Sequence, residues 1–259
     1  MRPQSAKAKG RRLQQWAAEQ YKKRFPHLEG NDVRSLSMGA SGDDLILSPA
    51  ALQVLPYNFE MKNTEAFQLW QTLRQTEARR ECDRLYPCIV AKRNHIEPLS
   101  IIPFGHFAHL LRFEMADVRE DGKLPACPFN PLISAGSLLQ ALSIQSGLPG
   151  GNMKTALTAG TGFALLNARA VRDAGAATLQ VLDRFVYHVQ DGIRFNFWET
   201  WDAMVALTKA EKKSQPKAID RILAFNRGDD EATIYVAMPF DAHARLLEAR
   251  YKHVRQKQI

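Results

Sequence analysis

Two segments of the chain share one pattern, Pro-Phe-x-x-x-Ala-x-Leu-Leu, at residues 103–111 and 239–247. In each case, two apolar runs joined by a turn that contains Asn and Arg precede the proline. Proline is tolerated in the first turn of a helix, because the N–H that it lacks has no helical partner there. The pattern therefore predicts a strand–turn–strand–helix unit that occurs twice, in an α/β chain with a degenerate internal repeat. Chance similarity between two such corners is the alternative.

A nearly uncharged stretch separates the two corners. From Leu124 to Ala168 the only charged residue is Lys154. Prolines and polar residues interrupt it, so that no window reaches the roughly eighteen apolar residues of a membrane-spanning helix. We therefore expect no membrane partner and predict a first domain over residues 1–111. Residues 112–259 would form a neutral helical connector and a second α/β half.

The charge of the chain points to a polyanionic partner. Lys and Arg exceed Asp and Glu by 35 to 27, and residues 1–34 hold nine cations against three acids. Apolar residues at helical spacing predict a helix over residues 12–25. Its cations would lie off the apolar stripe and contact phosphates, together with a basic turn near residue 92. The predicted contacts are Lys9, Arg11, Arg12, Lys22, Lys23, Lys92 and Arg93. A solvated helix face is the other reading of the same charges.

The cysteines and the N-terminus bear on the compartment. The chain has three cysteines and no Cys-x-x-Cys pair, which suits a reducing compartment better than a disulfide framework or a zinc ribbon. The first residues lack the apolar core of a signal peptide. We therefore expect a cytoplasmic location.

The segment 57–62 alternates as a strand, and it holds the residues best suited to chemistry. Glu60 and Lys62 lie two apart and share one face. Asp44 stands at the start of a short apolar strand, residues 45–47, which can pair with this one. Two carboxylates, the main-chain carbonyl of Met61 and waters would suit Mg²⁺. The metal would acidify a water, and Lys62 would orient the nucleophile and offset charge on a phosphodiester.

These residues resemble the PD-(D/E)xK nucleases. The motifs are Ser-Gly-Asp-Asp-Leu-Ile-Leu-Ser-Pro at 41–49 and Phe-Glu-Met-Lys-Asn at 59–63, followed by Trp70 and Gln75 on the next helix. They are most similar to phage-encoded, Holliday-junction-resolvase-like endonucleases, and the resemblance covers residues 1–111. It implies a restriction-endonuclease-like mixed sheet flanked by helices. By the same resemblance, Asp44 and Glu60 hold the metal, Lys62 works on the nucleophile, and Gln75 supports the site.

The resemblance leaves some assignments open. Asp43 is the alternative to Asp44, although the family's acid directly precedes the apolar strand. Such enzymes often carry a further glutamate on the first helix, where this chain has Gln14 and Gln15, with Glu19 about one turn further on. The number of metals therefore stays open.

The second half of the chain lacks the acid and the lysine. An Asp-Gly turn at residues 191–192 predicts a hairpin of strands 179–189 and 193–198. In that alignment Asn196 and Trp198 replace Glu60 and Lys62, so we predict a catalytically degenerate copy that contributes packing. A second register aligns residues 179–182 with 52–55.

Together these observations predict a magnesium-dependent endodeoxyribonuclease, with Mn²⁺ as a substitute, that cleaves branched or structured DNA in phage DNA recombination. A phage-encoded enzyme would act in the host cytoplasm, and its oligomeric state is open between a monomer and a homodimer. One rival is a non-catalytic DNA-binding or architectural protein that uses the basic N-terminal helix. Another is an assembly protein whose neutral segment makes subunit contacts.

Overall fold

The computed structural model describes residues 3–36, 42–79, 84–119, 123–124, 185–190, 196–211, 220–225 and 234–256. Six helices lie in these ranges: α1 (Pro3–Arg24), α2 (Pro49–Val54), α3 (Leu69–Ala78), α4 (Phe104–Asp117), α5 (Phe197–Glu211) and α6 (Phe240–Gln256). Eight strands lie there: β1 (Val33–Ser35), β2 (Leu45–Leu47), β3 (Tyr57–Asn63), β4 (Tyr86–Lys92), β5 (Leu99–Pro103), β6 (Phe185–Gln190), β7 (Asp220–Phe225) and β8 (Tyr235–Pro239). The chain is thus an α/β protein with mixed strand pairing and flanking helices, as predicted.

Two compact units make up the fold. The first falls within Met1–Ile102 and Pro239–Tyr251, and the second within Pro103–Met238 and Lys252–Ile259. The helix that follows β5 therefore belongs to the second unit, whereas most of α6, which follows β8, belongs to the first. The domain boundary at residues 111 and 112 stays a prediction.

The first unit contains β3 as the edge strand of its sheet. This strand pairs with β4 in parallel, and β4 pairs with β5 antiparallel. Apolar side chains of α1 and α6 cover one face, where the ring of Tyr21 lies 5.5 Å from that of Phe59 and 4.9 Å from that of Phe240. All three aromatic side chains are buried, and their packing contributes a large part of this unit's core.

The short strands β1 and β2 form a separate antiparallel pair, with Val33 opposite Leu47. The expected pairing of residues 45–47 with β3 is therefore wrong. A hydrogen bond from the Asp44 N–H to the Phe59 carbonyl joins the start of β2 to β3 instead, at 3.0 Å. Asp44 still reaches the predicted strand, but through its own main chain and side chain.

The second unit has the same order of pairings. Strand β6 pairs with β7 in parallel, and β7 pairs with β8 antiparallel. Helix α5 contributes the buried side chains of Phe197 and Trp201, and the Phe197 ring lies 6.1 Å from that of Phe225. Each unit thus contains a parallel strand pair, a helix between its strands, and an antiparallel third strand that leads into a helix.

The predicted strand over residues 193–198 is wrong for its described part. Asn196 precedes α5 and accepts hydrogen bonds through Oδ1 from the N–H groups of Trp198 and Glu199, at 3.2 and 3.4 Å. Asparagine stabilises a helix start in this way, because the first N–H groups of a helix lack main-chain acceptors. Phe197 and Trp198 are both buried in the first turn, whereas alternation would have placed them on opposite faces.

Other predictions fall on helix limits or outside the described ranges. Helix α1 starts nine residues before the predicted residue 12, because proline is tolerated in a first turn and the alanines and lysines that follow favour a helix without forming an apolar stripe. Most of the neutral stretch, residues 125–168, lies outside the described residues, as do residues 179–182. Among the described residues, no helix has both the length and the apolar character needed to cross a membrane.

Candidate active site

Alternation along β3 separates a core face from a polar face. Tyr57 and Phe59 point toward α1 and α6, while Asn58 and Glu60 lie on the face that α3 covers. The Asn58 side chain is fully buried and donates a hydrogen bond to the Thr76 carbonyl on α3, at 2.6 Å. This contact fixes the end of α3 against the strand, next to Glu60.

Glu60 is the centre of an ion-pair cluster. Its side chain is only 6% exposed, and its two oxygens have different partners. Oε1 lies 2.5 Å from Lys62 Nζ, and Oε2 lies 2.6 Å from Arg79 Nη1. Charge-assisted contacts to both oxygens compensate the burial of the carboxylate, which would otherwise be costly.

Asp44 is fastened to the edge of β3. Its Oδ2 accepts a hydrogen bond from the Met61 N–H at 2.5 Å, and its Oδ1 accepts one from Gln14 Nε2 on α1 at 2.6 Å. The Met61 N–H points away from β4, so Asp44 satisfies a strand edge that would otherwise be unpaired. Because Met61 stands between Glu60 and Lys62, the acid is anchored in the middle of the Glu-x-Lys triplet.

The surroundings of Asp44 shift the pKa of its carboxyl. Burial raises the pKa of the Asp44 carboxyl, and the nearby Glu60 carboxylate raises it too. The hydrogen bond from Met61 and the charge of Lys62 act in the opposite direction. A carboxyl with a raised pKa beside a second acid is a common feature of sites that bind cations or transfer protons.

The donor set fits one hard divalent cation only in part. Asp44 and Glu60 provide carboxylate oxygens, and the Met61 carbonyl is expected on the same strand edge as its N–H. Among the described residues, no three His, Cys, Asp or Glu side chains gather as a metal site. A cation would also have to displace Lys62 or Arg79 from Glu60. The side chains of these residues are 32% and 41% exposed. Two carboxylates and one carbonyl would leave the other positions around Mg²⁺ to water, which that ion commonly keeps.

The remaining predicted site residues lie outside this cluster. Gln75 is exposed on α3 and is not a hydrogen-bond partner of Asp44, Glu60 or Lys62. Gln15 and Glu19 are exposed on α1, whereas Gln14 reaches Asp44 directly.

Two contacts of the cluster were not predicted from the sequence. In the sequence, Arg79 is indistinguishable from an ordinary cation at the end of a helix. The signal that could have identified it is the parallel crossover, which returns the end of α3 to the polar face of β3. The second contact is the hydrogen bond from Gln14 to Asp44, since the resemblance identifies Gln14 only as a residue that stands where such enzymes often carry a glutamate.

The structure brings some of the predicted nucleic-acid contacts together and leaves the others apart. Lys9, Arg12 and Lys92 line one groove of about 360 Å³ in the first unit. Arg11 and Lys22 do not line it, although they lie on the same helix. Lys23 lines a different cavity, and Arg93 lies in the turn between β4 and β5. The structure therefore gathers three of the seven predicted contacts.

The strand pairings align the two units. Strand β5 ends at Pro103, and β8 ends at Pro239, two residues after the respective partners of Ile89 and Leu223. Ile89 and Leu223 therefore hold equivalent positions on β4 and β7.

Equivalent positions on β3 and β6 follow from the parallel pairings. Glu60 pairs with Ile89, and His188 pairs with Leu223. Two residues further on, Lys62 corresponds to Gln190. The predicted counterparts Asn196 and Trp198 are therefore wrong: His188 and Gln190 occupy the register positions of the Glu-x-Lys pair.

Comparisons of the chain with protein families, with curated proteins and with solved structures gave no match.

Proposed function

We propose that the protein is a magnesium-dependent endodeoxyribonuclease of the restriction-endonuclease-like type, acting on branched or structured DNA. The observation that carries this proposal is the hydrogen bond between the Asp44 carboxylate and the Met61 N–H. It joins Asp44 to Met61, the residue between Glu60 and Lys62 on β3. The two acids and the lysine of the predicted site therefore lie close together.

Each side chain has a distinct role in this proposal. Asp44 and Glu60 would hold the cation, which supplies an acidified water and stabilises negative charge on the phosphodiester. Lys62 would leave Glu60 to orient the nucleophile and offset the charge of the transition state. Arg79 would keep one oxygen of Glu60 in place during this change. Gln14 would hold the orientation of Asp44 from α1.

The wider context supports DNA as the substrate. The net charge of +8 favours a polyanion, and the basic groove, which is the concavity lined by Lys9, Arg12 and Lys92, lies beside β3. We propose that the second unit is a degenerate copy, since its sequence carries His and Gln at the positions of Glu60 and Lys62. A role in phage DNA recombination and a cytoplasmic location belong to the same proposal.

A non-catalytic DNA-binding protein is the second candidate. Lys62 and Arg79 already balance the charges of Glu60 and Asp44, and Asp44 has a structural role as a cap on the edge of β3. A cluster with this arrangement stabilises the unit without any metal. In that case the acids would be needed for folding and the basic groove alone for function.

Cleavage assays distinguish the two candidates. The full-length chain is incubated with a four-way junction or linear duplex DNA, in Mg²⁺, Mn²⁺ or EDTA. We expect cleavage of the junction with either metal and none in EDTA. Asp44→Asn should reduce cleavage by at least about a hundredfold, because it removes the negative charge of a proposed metal ligand.

Asp43→Asn is the matched control, because it removes the same charge one residue earlier. It should leave cleavage close to wild type. If the wild-type chain binds the junction but cuts neither DNA with either metal, the non-catalytic candidate replaces the nuclease.

A further inference from the structure

One groove of the first unit combines positive charge with apolar walls. It lies between α1 and the turn that joins β4 to β5, and its volume is about 360 Å³. Three cations line it, Lys9 and Arg12 from α1 and Lys92 from the end of β4. Leu13, Trp16 and Pro98 supply the apolar part of the lining. We call this concavity the basic groove.

Polar contacts hold the basic groove in shape. Lys9 Nζ donates a hydrogen bond to Asn94 Oδ1 at 3.1 Å, which joins α1 to the β4–β5 turn. The Asn63 side chain donates to the Lys9 carbonyl at 3.3 Å, which joins α1 to the end of β3. Because Asn63 directly follows Lys62, the groove lies at the same end of β3 as the proposed catalytic lysine, on the opposite face of the strand.

A second cavity of the same unit differs in charge. It measures about 660 Å³ and also borders Trp16 and Pro98, but its ionic lining is mostly acidic. Glu97, Asp241 and Glu248 outnumber Lys23 and Arg24 there, and Arg24 is ion-paired with both Asp241 and Glu248. Among the residues that the structure describes, no acid lines the basic groove. A phosphate chain is therefore attracted to the basic groove and repelled from the larger cavity.

The size and the walls of the basic groove favour an unpaired strand. A duplex is far wider than a concavity of this volume, so it could meet only the rim. One nucleotide of a single strand can enter with its base against an aromatic side chain, while its own phosphate and those of its neighbours contact the cations. Trp16 is half-buried and lines the groove, and its ring lies 4.8 Å from that of Phe240.

We propose that the basic groove binds an unpaired strand of DNA, with its phosphates on Lys9, Arg12 and Lys92 and a base against Trp16. This inference rests on the proposed nucleic-acid substrate but not on cleavage. It identifies the feature that the protein would recognise in branched DNA, which is an unpaired strand beside the end of β3.

Salt-dependent binding tests the charge part of this proposal. Binding of a labelled oligothymidylate to the full-length chain is measured in EDTA by fluorescence anisotropy. Three phosphate contacts on a single strand give a slope of log affinity against log salt of about −2. Between about 50 and about 200 mM salt the affinity should therefore fall about 20-fold.

The pair Arg12→Gln and Lys92→Gln, made together, should leave a slope of about −0.7 and a fall of only about threefold. The pair Arg11→Gln and Lys22→Gln is the matched control, since it removes the same charge from residues that do not line the groove. It should keep the slope close to wild type. Equal slopes for the two double variants would overturn the proposal.

Substitutions of Trp16 test the base contact. Trp16→Leu should weaken binding about tenfold with little change in the salt slope, because it removes a stacking surface and no charge. Trp16→Tyr keeps a ring and should restore most of the affinity, which separates stacking from a general loss of packing against Phe240. Equal losses in both variants would contradict the base contact, and duplex DNA that competes as well as the single strand would contradict the preference for an unpaired strand.

These results separate the groove from the nuclease. A chain that binds the oligonucleotide through Arg12 and Lys92 but never cleaves supports the groove and rejects the catalytic proposal. A chain that cleaves junctions while the Arg12 and Lys92 double variant binds and cuts as well as wild type rejects the groove and supports the nuclease.

Discussion

The two units of the chain have the same succession of strand pairings and differ where chemistry would require a particular side chain. On the first strand of the parallel pair, the first unit carries Glu60 and Lys62, and the second carries His188 and Gln190 at the equivalent register positions. The strand-to-helix corners differ far less, since Pro103 and Pro239 each end a strand and precede a helix. The comparison teaches that the corners serve the fold, whereas the Glu-x-Lys pair is not needed to build it.

The largest expected effect is a difference in cleavage rate between a variant of β3 and a variant of β6. Lys62→Ala should reduce cleavage by about a hundredfold or more, because it removes a positively charged group at the reacting phosphate. Gln190→Ala, at the equivalent position, should leave the rate within about twofold. Single-turnover cleavage of a four-way junction by the two variants measures the difference. Similar losses in both would show that the second unit also acts in catalysis and would break the comparison.

A second prediction concerns the helices that follow the corners. His243 is buried in the first unit and shares a hydrogen bond of 2.8 Å with the Tyr57 hydroxyl. Its counterpart in the second unit, counted from the proline, is the buried Phe107. Burial lowers the pKa of His243 to about 3. Below about pH 6.5 the unfolded chain therefore binds a proton that the folded chain does not take up.

The free energy of unfolding should thus fall as the pH decreases from about 6.5 toward 3, by up to about 1.4 kcal/mol per pH unit from this residue. His243→Phe, which copies the second unit, should make the profile shallower by that amount. Tyr57→Phe is the control, since it removes the same hydrogen bond and keeps the titrating ring. Urea unfolding at several pH values measures both, and an unchanged slope in His243→Phe would contradict the assignment.

The smallest expected effect concerns the start of α5. Asn196→Ala removes the acceptor for the N–H groups of Trp198 and Glu199 and should lower the free energy of unfolding by about 1 kcal/mol. Cleavage should stay close to wild type, because this residue is a helix cap and not the counterpart of Glu60. Asn196→Ser is the control and should retain most of the stability. A large loss of cleavage in a stable Asn196→Ala chain would support the alignment of Asn196 with Glu60 instead.

The sequence predicted the positions of helices and strands more reliably than the strands with which they pair. Alternation located β3 and the shared face of Glu60 and Lys62, and the acid before a short apolar run located Asp44. Periodicity cannot show which strand an element pairs with, so β2 was wrongly paired with β3. The segment around Asn196 was misread because Phe-Asn-Phe-Trp alternates like a strand, while the capping asparagine and the burial of both aromatic residues favour a helix.

The tertiary contacts of the candidate site were the hardest to predict. Arg79 reaches Glu60 from nineteen residues away, and Lys9 reaches Asn94 from 85 residues away. Such contacts depend on the crossover of α3 and on the packing of α1, which no local pattern encodes. The counterpart of Glu60 in the second unit likewise required the register of two strand pairs. Charge alone therefore identified more cations than the basic groove contains.

The most direct test of the central claim is junction cleavage in Mg²⁺ by Glu60→Gln and His188→Gln, with binding measured on the same samples. Glu60→Gln removes the negative charge of a proposed metal ligand. It should abolish cleavage while junction affinity stays within about threefold of wild type. His188→Gln should cleave at nearly the wild-type rate. Full cleavage by folded Glu60→Gln, or its loss in His188→Gln alone, would contradict a catalytic site on β3.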